Sequence, residues 1–121
     1  MKKEQEFLKK FQRDMNWGIS DDSFQESRTD LLNNYMLLTT EVSEIAEEFR
    51  AMFNQTYRTC NKIGEQKAFE QAKLAYKENI GKEIVDCMAY LIKFANYLEI
   101  DVETAFYHKM DEVKSRVNKD Q

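Results

Sequence analysis

Two short acidic pairs carry the chemistry this sequence can offer: Glu41 with Glu44, and Glu83 with Asp86. On an α-helix, residues three apart face nearly the same way, so each pair can aim its carboxylates at one point. Packing the two helices that bear them would converge four carboxylates on a narrow space. Like charges held that close raise one another's pKa values, and the arrangement makes physical sense when a hard, oxygen-seeking cation such as Mg²⁺, or Mn²⁺ in its place, sits among them. Glu41 borders an apolar stripe on its helix, with Glu44 one step further round. On the other helix Glu83, Asp86, Tyr90 and Tyr97 fall within about a 60-degree sector beside the core face. A single Glu-x-x-Glu is ordinary surface charge on most helices. Two pairs, each next to a core stripe, put the metal reading on an even footing with that one.

Other reactive side chains offer less. His108 is the only histidine, and it reads as a surface or interface residue that could touch phosphate. A di-iron bundle needs Glu-x-x-His pairs, and three residues before His108 stands Ala105. Cys60 and Cys87 are too few for a disulfide scaffold, and with one histidine they do not complete a four-ligand zinc site, so both read as reduced thiols, Cys87 as packing. Tyr90 and Trp17 could stack on a base, or equally fill a core or an interface.

The elements that must position these groups are helices. The chain of 121 residues has no proline, three glycines and 42% apolar content, which suits one all-α domain over residues 1–121 with a modest core. Residues 2–15 form a first helix with Phe7, Leu8, Phe11 and Met15 on one side and Gly18 past its end, and 18–28 read as a loop in which Ser27 or Thr29 caps the second helix. From about Asp30 to Phe53 the positions Leu31, Tyr35, Leu38, Val42, Ile45, Phe49 and Met52 recur every three or four residues, marking that second helix as a long one. Residues 54–78 predict an exposed helical hairpin or extension. A third major helix over 80–98 carries Ile80, Ile84, Cys87, Met88, Leu91, Ala95 and Leu98 on one broad face and should be the most buried element. Asp101 predicts an N-cap for a last helix from Val102 to about Val117, with Glu103 in its first turn.

No window approaches the ~18 apolar residues of a membrane span and no apolar leader comes after the N-terminus, so the expectation is a cytoplasmic protein without a membrane role. A net charge of −4 and a pI near 5.1 argue against a nucleic-acid binder, which needs a basic surface. If the chain binds an anion, metal must help. Fifteen aromatic residues on more than one helix face leave apolar surface that a chain of this size cannot hide alone, and self-association is the expected consequence.

Three stretches together carry a family resemblance: Leu38 to Phe49 with Glu41, Glu44, Glu47 and Glu48; Lys82 to Leu91 with Glu83, Asp86 and Tyr90; and Ile100 to Arg116 with Lys109. Over roughly residues 31–117 the chain resembles the MazG-like all-α nucleoside triphosphate pyrophosphohydrolases. That resemblance implies a four-helix-bundle-like fold, here with an extended helical insertion between the second and third major helices, since 38 residues separate Glu44 from Glu83. It implies Mg²⁺-dependent hydrolysis of a nucleoside or deoxynucleoside triphosphate to the monophosphate and pyrophosphate, in a homodimer or homotetramer. Glu41, Glu44, Glu83 and Asp86 would be the metal ligands, Glu41 or Glu44 the base, Glu47 or Glu48 a supporting acid, and Lys109 and Arg116 would meet phosphates. Arg13 to Trp17 is similar to the segment preceding the motif in the dCTP-hydrolysing branch, where aromatic groups enclose the base. The family's frequent asparagine four residues after the lysine is Val113 here. The rival expectation is a non-catalytic helical oligomerisation module whose acidic pairs are solvated faces.

Overall fold

The computed structural model describes the backbone of residues 1–120 and the side chains of residues 1–116. The described residues form four helices, α1 (Lys2–Asp14), α2 (Phe24–Ile63), α3 (Glu65–Tyr97) and α4 (Val102–Asp120), and no strand occurs among them. None of these helices is long and apolar enough to cross a membrane.

The helix ends explain where the sequence reading shifts. α1 stops at Asp14, and the left-handed residue that turns the chain is Asn16 (φ 52°), with the Trp17 amide donating to the Gln12 carbonyl at 2.7 Å, so Gly18 is not the stop. Of the side of α1 expected to pack, Phe7, Phe11 and Met15 are exposed and Leu8 is half-buried, while Gln12 is the residue that is buried. α2 begins at Phe24, not near Asp30, because Ser23 caps it: the Ser23 hydroxyl accepts the Glu26 amide at 3.1 Å. Ser27 and Thr29 lie inside the helix, and the Ser27 hydroxyl instead donates to the Ser20 carbonyl at 2.6 Å.

α2 then runs unbroken for 40 residues to a single-residue corner at Gly64, where φ is +89°, a conformation that only glycine adopts without strain. α3 starts at the next residue. The polar stretch 54–78 is therefore a helical hairpin formed by the end of one helix and the start of the next, and the third helix expected over 80–98 is the C-terminal half of a helix of 33 residues. α4 starts as its cap predicted: Asp101 accepts the Thr104 amide at 3.3 Å and its hydroxyl at 3.1 Å, which holds the Asp101 carboxyl below its ordinary range.

The chain divides into two compact units. The first, residues 1–31 and 91–121, comprises α1, the first turns of α2, the last turns of α3, and α4. Gln5 ties it together: its side chain donates to the Ile100 carbonyl and accepts the Val102 amide at 3.1 Å, while Asn96 donates to the Gln5 carbonyl at 3.3 Å. The second, residues 32–90, is the α2–α3 hairpin. Along the hairpin Leu38 and Met52 of α2 are buried and Ile45 between them is half-buried, at seven-residue intervals, and the small Ala68 and Ala72 of α3 are buried as well. The apolar stripe read on α2 thus splits in two: Leu38 and Met52 are buried, while Tyr35, Val42 and Phe49 remain exposed. α3 divides likewise, with only part of its apolar face buried. In the described residues of the hairpin Cys87 is buried and Ile84 is exposed, and in the first unit Ala95 is buried while Leu91 and Leu98 are exposed. No large side chain among the described residues is fully buried.

Candidate metal centre

The hairpin seam is not apolar throughout. Glu41 and Glu48, seven residues apart, occupy the same inward stripe as Leu38, Ile45 and Met52, and Glu83 stands on the facing stripe of α3 one turn before Cys87. All three glutamates are half-buried, whereas Glu44 and Asp86 lie on the exposed edge. An ionised side chain on a seam position loses hydration that an apolar residue would not need, so sequence patterning alone would place leucine or alanine there.

One carboxylate oxygen from each of Glu41, Glu83 and Asp86 lies within 4.8 Å of the other two. Three of the four expected ligands are therefore brought together. Glu44 is outside that group, one step round α2, yet it acts on it: partial burial raises the Glu83 pKa above its ordinary 4.5, and the charges of Glu44, Asp86, Glu41 and Glu48 push it further up, in that order. The same field reaches two neighbours. Burial, then Glu41, Asp86 and Glu83, raise the Cys87 thiol; burial, then Glu41 and Asp86, raise the Tyr90 phenol.

No lysine or arginine amine lies within 4 Å of these carboxylates among the described residues. Lys82, the adjacent cation in sequence, reaches Glu78 at 3.7 Å. Of the two glutamates that the resemblance offers as a supporting acid, Glu47 is exposed and pairs with Arg50 at 3.5 Å, and Glu48 is the one that faces Glu83 electrostatically. The donor set fits a hard divalent cation. Mg²⁺ with oxygens at about 2.1 Å needs adjacent ligands about 3 Å apart and opposite ones about 4 Å apart, which small side-chain rotations within a 4.8 Å cluster supply. Cys87 is held as a thiol and the cluster contains no imidazole, so Mg²⁺ or Mn²⁺ suits it better than zinc.

The remaining expected site residues belong to the other unit or to its edge. Tyr90 closes the hairpin unit beside Glu41 and Asp86. Lys109 on α4 pairs with Glu112 at 3.5 Å, and Arg116 is exposed. His108 lines a shallow depression on α4 with Asp111, Glu112 and Ser115. Trp17 is half-buried, with the ammonium of Lys93 3.9 Å from the centre of its ring. Lys93 is only 4% exposed, and helix periodicity does not single it out; its signal in the sequence is a lysine embedded in the apolar run Leu91-Ile92-Lys93-Phe94-Ala95. Burial lowers its pKa while Asp30 opposes the shift, and Asp30 also accepts the Ser20 amide at 2.7 Å. The sequence offers Glu48 as one of two options, and its seven-residue spacing from Glu41 is the cue that chooses it.

No protein-family model, characterised protein or solved structure matches the chain.

Proposed function

We propose that the chain is a Mg²⁺-dependent nucleoside triphosphate pyrophosphohydrolase, cleaving a nucleoside or deoxynucleoside triphosphate to the monophosphate and pyrophosphate. The observation that carries this reading is the placement of three carboxylates, Glu41, Glu83 and Asp86, from two helices with one oxygen each within 4.8 Å of the others and, among the described residues, without a basic side chain paired to them. The resemblance of these segments to the MazG-like enzymes supplies the reaction.

In this reading Glu41, Glu83 and Asp86 hold the cation, with Glu44 and Glu48 adding negative charge around it. The bound Mg²⁺ would offset the triphosphate charge and acidify a water molecule. Glu44 is the better base of the two candidates, because it stands outside the tight group and keeps its carboxylate free to accept a proton. Glu44 would take the proton of the attacking water, whose oxygen would bond to the α-phosphorus as the bond from that phosphorus to the oxygen bridging to the β-phosphate breaks and pyrophosphate leaves with the electron pair. Lys109 and Arg116 as phosphate contacts, and Trp17 and Tyr90 around the base, rest on the resemblance, as does assembly into a dimer or tetramer.

A screen of the common NTPs and dNTPs for pyrophosphate release tests the proposal. Release of pyrophosphate from at least one substrate, abolished by EDTA, is the expected result; orthophosphate alone, or turnover that persists in chelator, overturns it. The exposed apolar stripe of α2 favours a second reading, a helical interaction module without catalysis. The two part on metal: an enzyme site gains thermal stability from Mg²⁺ by mass action, and a solvated acidic face does not.

A further inference from the structure

The net charge of −4 conceals how charge is distributed along the α2–α3 hairpin. Within fifteen residues of the Gly64 corner, from 49 to 79, six cations (Arg50, Arg58, Lys62, Lys67, Lys73 and Lys77) stand against three acids, a net of +3. The rest of that unit, 32–48 and 80–90, sets six acids against Lys82, a net of −5. At 1.5 Å per residue Glu41 lies about 18 Å along α2 from Phe53, more than two screening lengths of about 8 Å at physiological salt. The acidic end of the hairpin therefore does not cancel the field at its corner.

That basic end carries aromatic rings at a regular step. Phe49, Phe53 and Tyr57 follow one another every four residues of α2 and are 41%, 46% and 69% exposed. Each is followed in sequence by a hydrogen-bonding side chain, Arg50, Asn54 and Arg58, and the same step continues to Lys62. Successive helical positions lie about 100° apart, so the rings form one row and the polar groups a second row alongside it. A groove of about 400 Å³ is lined by Ala46 together with Phe49, Arg50, Phe53, Asn54 and Tyr57. The rings are braced and still open: Phe49 and Phe53 stand 6.5 Å apart between centres, and Phe53 leans on Phe69 of α3 at 6.5 Å. Arg50 reaches Glu47 at 3.5 Å in an exposed pair that a phosphate would displace at little cost. Arg58, Lys62 and Lys67 form no ion pair among the described residues.

We propose that this end of the hairpin binds single-stranded nucleic acid, with bases stacked on Phe49, Phe53 and Tyr57 and phosphates held by Arg50, Arg58 and Lys62. Rings in a row accept the face of any base, and a cation beside each step meets the backbone. A duplex keeps its bases stacked inside and offers the rings nothing. The surface stands on charge and spacing of its own, independently of the metal reading.

Fluorescence anisotropy of labelled oligothymidylate, oligouridylate and a duplex of the same length, titrated with the full chain in EDTA, tests it; the chelator keeps metal from bridging phosphates to the carboxylates. Three phosphate contacts on a single strand give a salt slope of about −2, so affinity should fall about 20-fold between 50 and 200 mM salt. Tyr57→Ala removes a stacking platform and should weaken binding at least ~5-fold, while Tyr57→Phe keeps the ring and should bind within ~2-fold of wild type. Arg58→Gln should weaken binding and reduce the salt slope by about 0.7. Tyr57 and Arg58 are exposed, so helical content by circular dichroism should be unchanged in all three variants. Preference for one oligonucleotide tells DNA from RNA, and either result supports the proposal. No binding of either strand at low salt by tens of micromolar chain overturns it, and so does a duplex bound as tightly as the single strands. A strand held equally well by wild type and Tyr57→Ala refutes the stacking and overturns it too. Binding to phosphatidylserine vesicles without binding to the oligonucleotides would give the surface to a membrane, and self-association that buries Tyr57 without strand binding would give it to a second copy; each equally overturns the proposal.

Discussion

Replacing Asp86 with asparagine separates a metal ligand from a structural carboxylate. Asp86 is exposed on the edge of α3, and no hydrogen bond or ion pair holds its side chain among the described residues, but one of its oxygens lies within 4.8 Å of oxygens from Glu41 and Glu83. In the metal-free protein Asp86→Asn removes a like charge from that group and breaks no contact, so stability should hold or rise. With metal the effect reverses. Loss of a charged oxygen ligand should weaken Mg²⁺ binding ~10- to 100-fold, the range found even when groups that merely support a ligand are changed. At a Mg²⁺ concentration a hundred times the wild-type dissociation constant, mass action stabilises the wild type by about 2.7 kcal/mol, and the same concentration stabilises the variant by only about 0.4–1.4 kcal/mol. With an unfolding entropy of about 2.1 cal/mol/K per residue, that is a rise in Tm of about 10 °C for the wild type against about 2–6 °C for the variant. Thermal melts of both proteins across a Mg²⁺ series, alongside the pyrophosphate assay, give the comparison. A variant that melts lower without metal, with identical Mg²⁺ shifts in the two proteins, refutes the reasoning and makes Asp86 structural.

Glu44→Gln should keep most of the Mg²⁺ affinity and lose ~100-fold or more in kcat, the signature of a base outside the ligand group; a loss of metal affinity as large as that of Asp86→Asn would instead make Glu44 a ligand. Mg²⁺ binding should weaken as pH falls through the raised Glu83 pKa towards 4.5, because the cation displaces a proton that the crowded cluster retains. The sign for the metal-free protein is the opposite: Glu83 binds its proton more tightly folded than unfolded, so its contribution to stability is complete below pH 4.5 and is lost as pH rises through the raised value. Calorimetric titration at about pH 7 and pH 5 checks the first statement, and pH-independent affinity would contradict it.

The sequence made the helices legible because their period is strong: the apolar recurrence every three or four residues on α2 and the Asp101 cap of α4 are local signals, and the long helix and the cap both appear in the structure. The boundaries shifted where a second local signal competed. Ser23, three residues before Glu26, caps α2 six residues ahead of the expected start at Asp30, and Asn16 takes the left-handed turn that Gly18 was expected to provide. The chemistry-bearing pairs were legible from their i, i+3 spacing, but spacing within one helix does not say which member of a pair faces the neighbour. That depended on the seam, which turned Glu41 and Glu83 inward, left Glu44 outside the close group and chose Glu48 over Glu47.

Periodicity also hid something, since an apolar residue every three or four positions reads as one broad face whether it serves one neighbour or two. On α2 that face wraps far enough for Leu38, Ile45 and Met52 to meet α3 while Tyr35, Val42 and Phe49 turn away, and a two-helix hairpin has nothing of its own to lay over the second set. The acidic positions belong to the first stripe and the aromatic ones to the second. Charge removed from Glu41 or Glu83 should therefore change metal binding without weakening the binding of single strands, and a ring removed at Tyr57 should do the reverse. If instead both properties moved together under either kind of substitution, the two stripes would be parts of one site, and the division of labour on α2 argued from their spacing would be wrong.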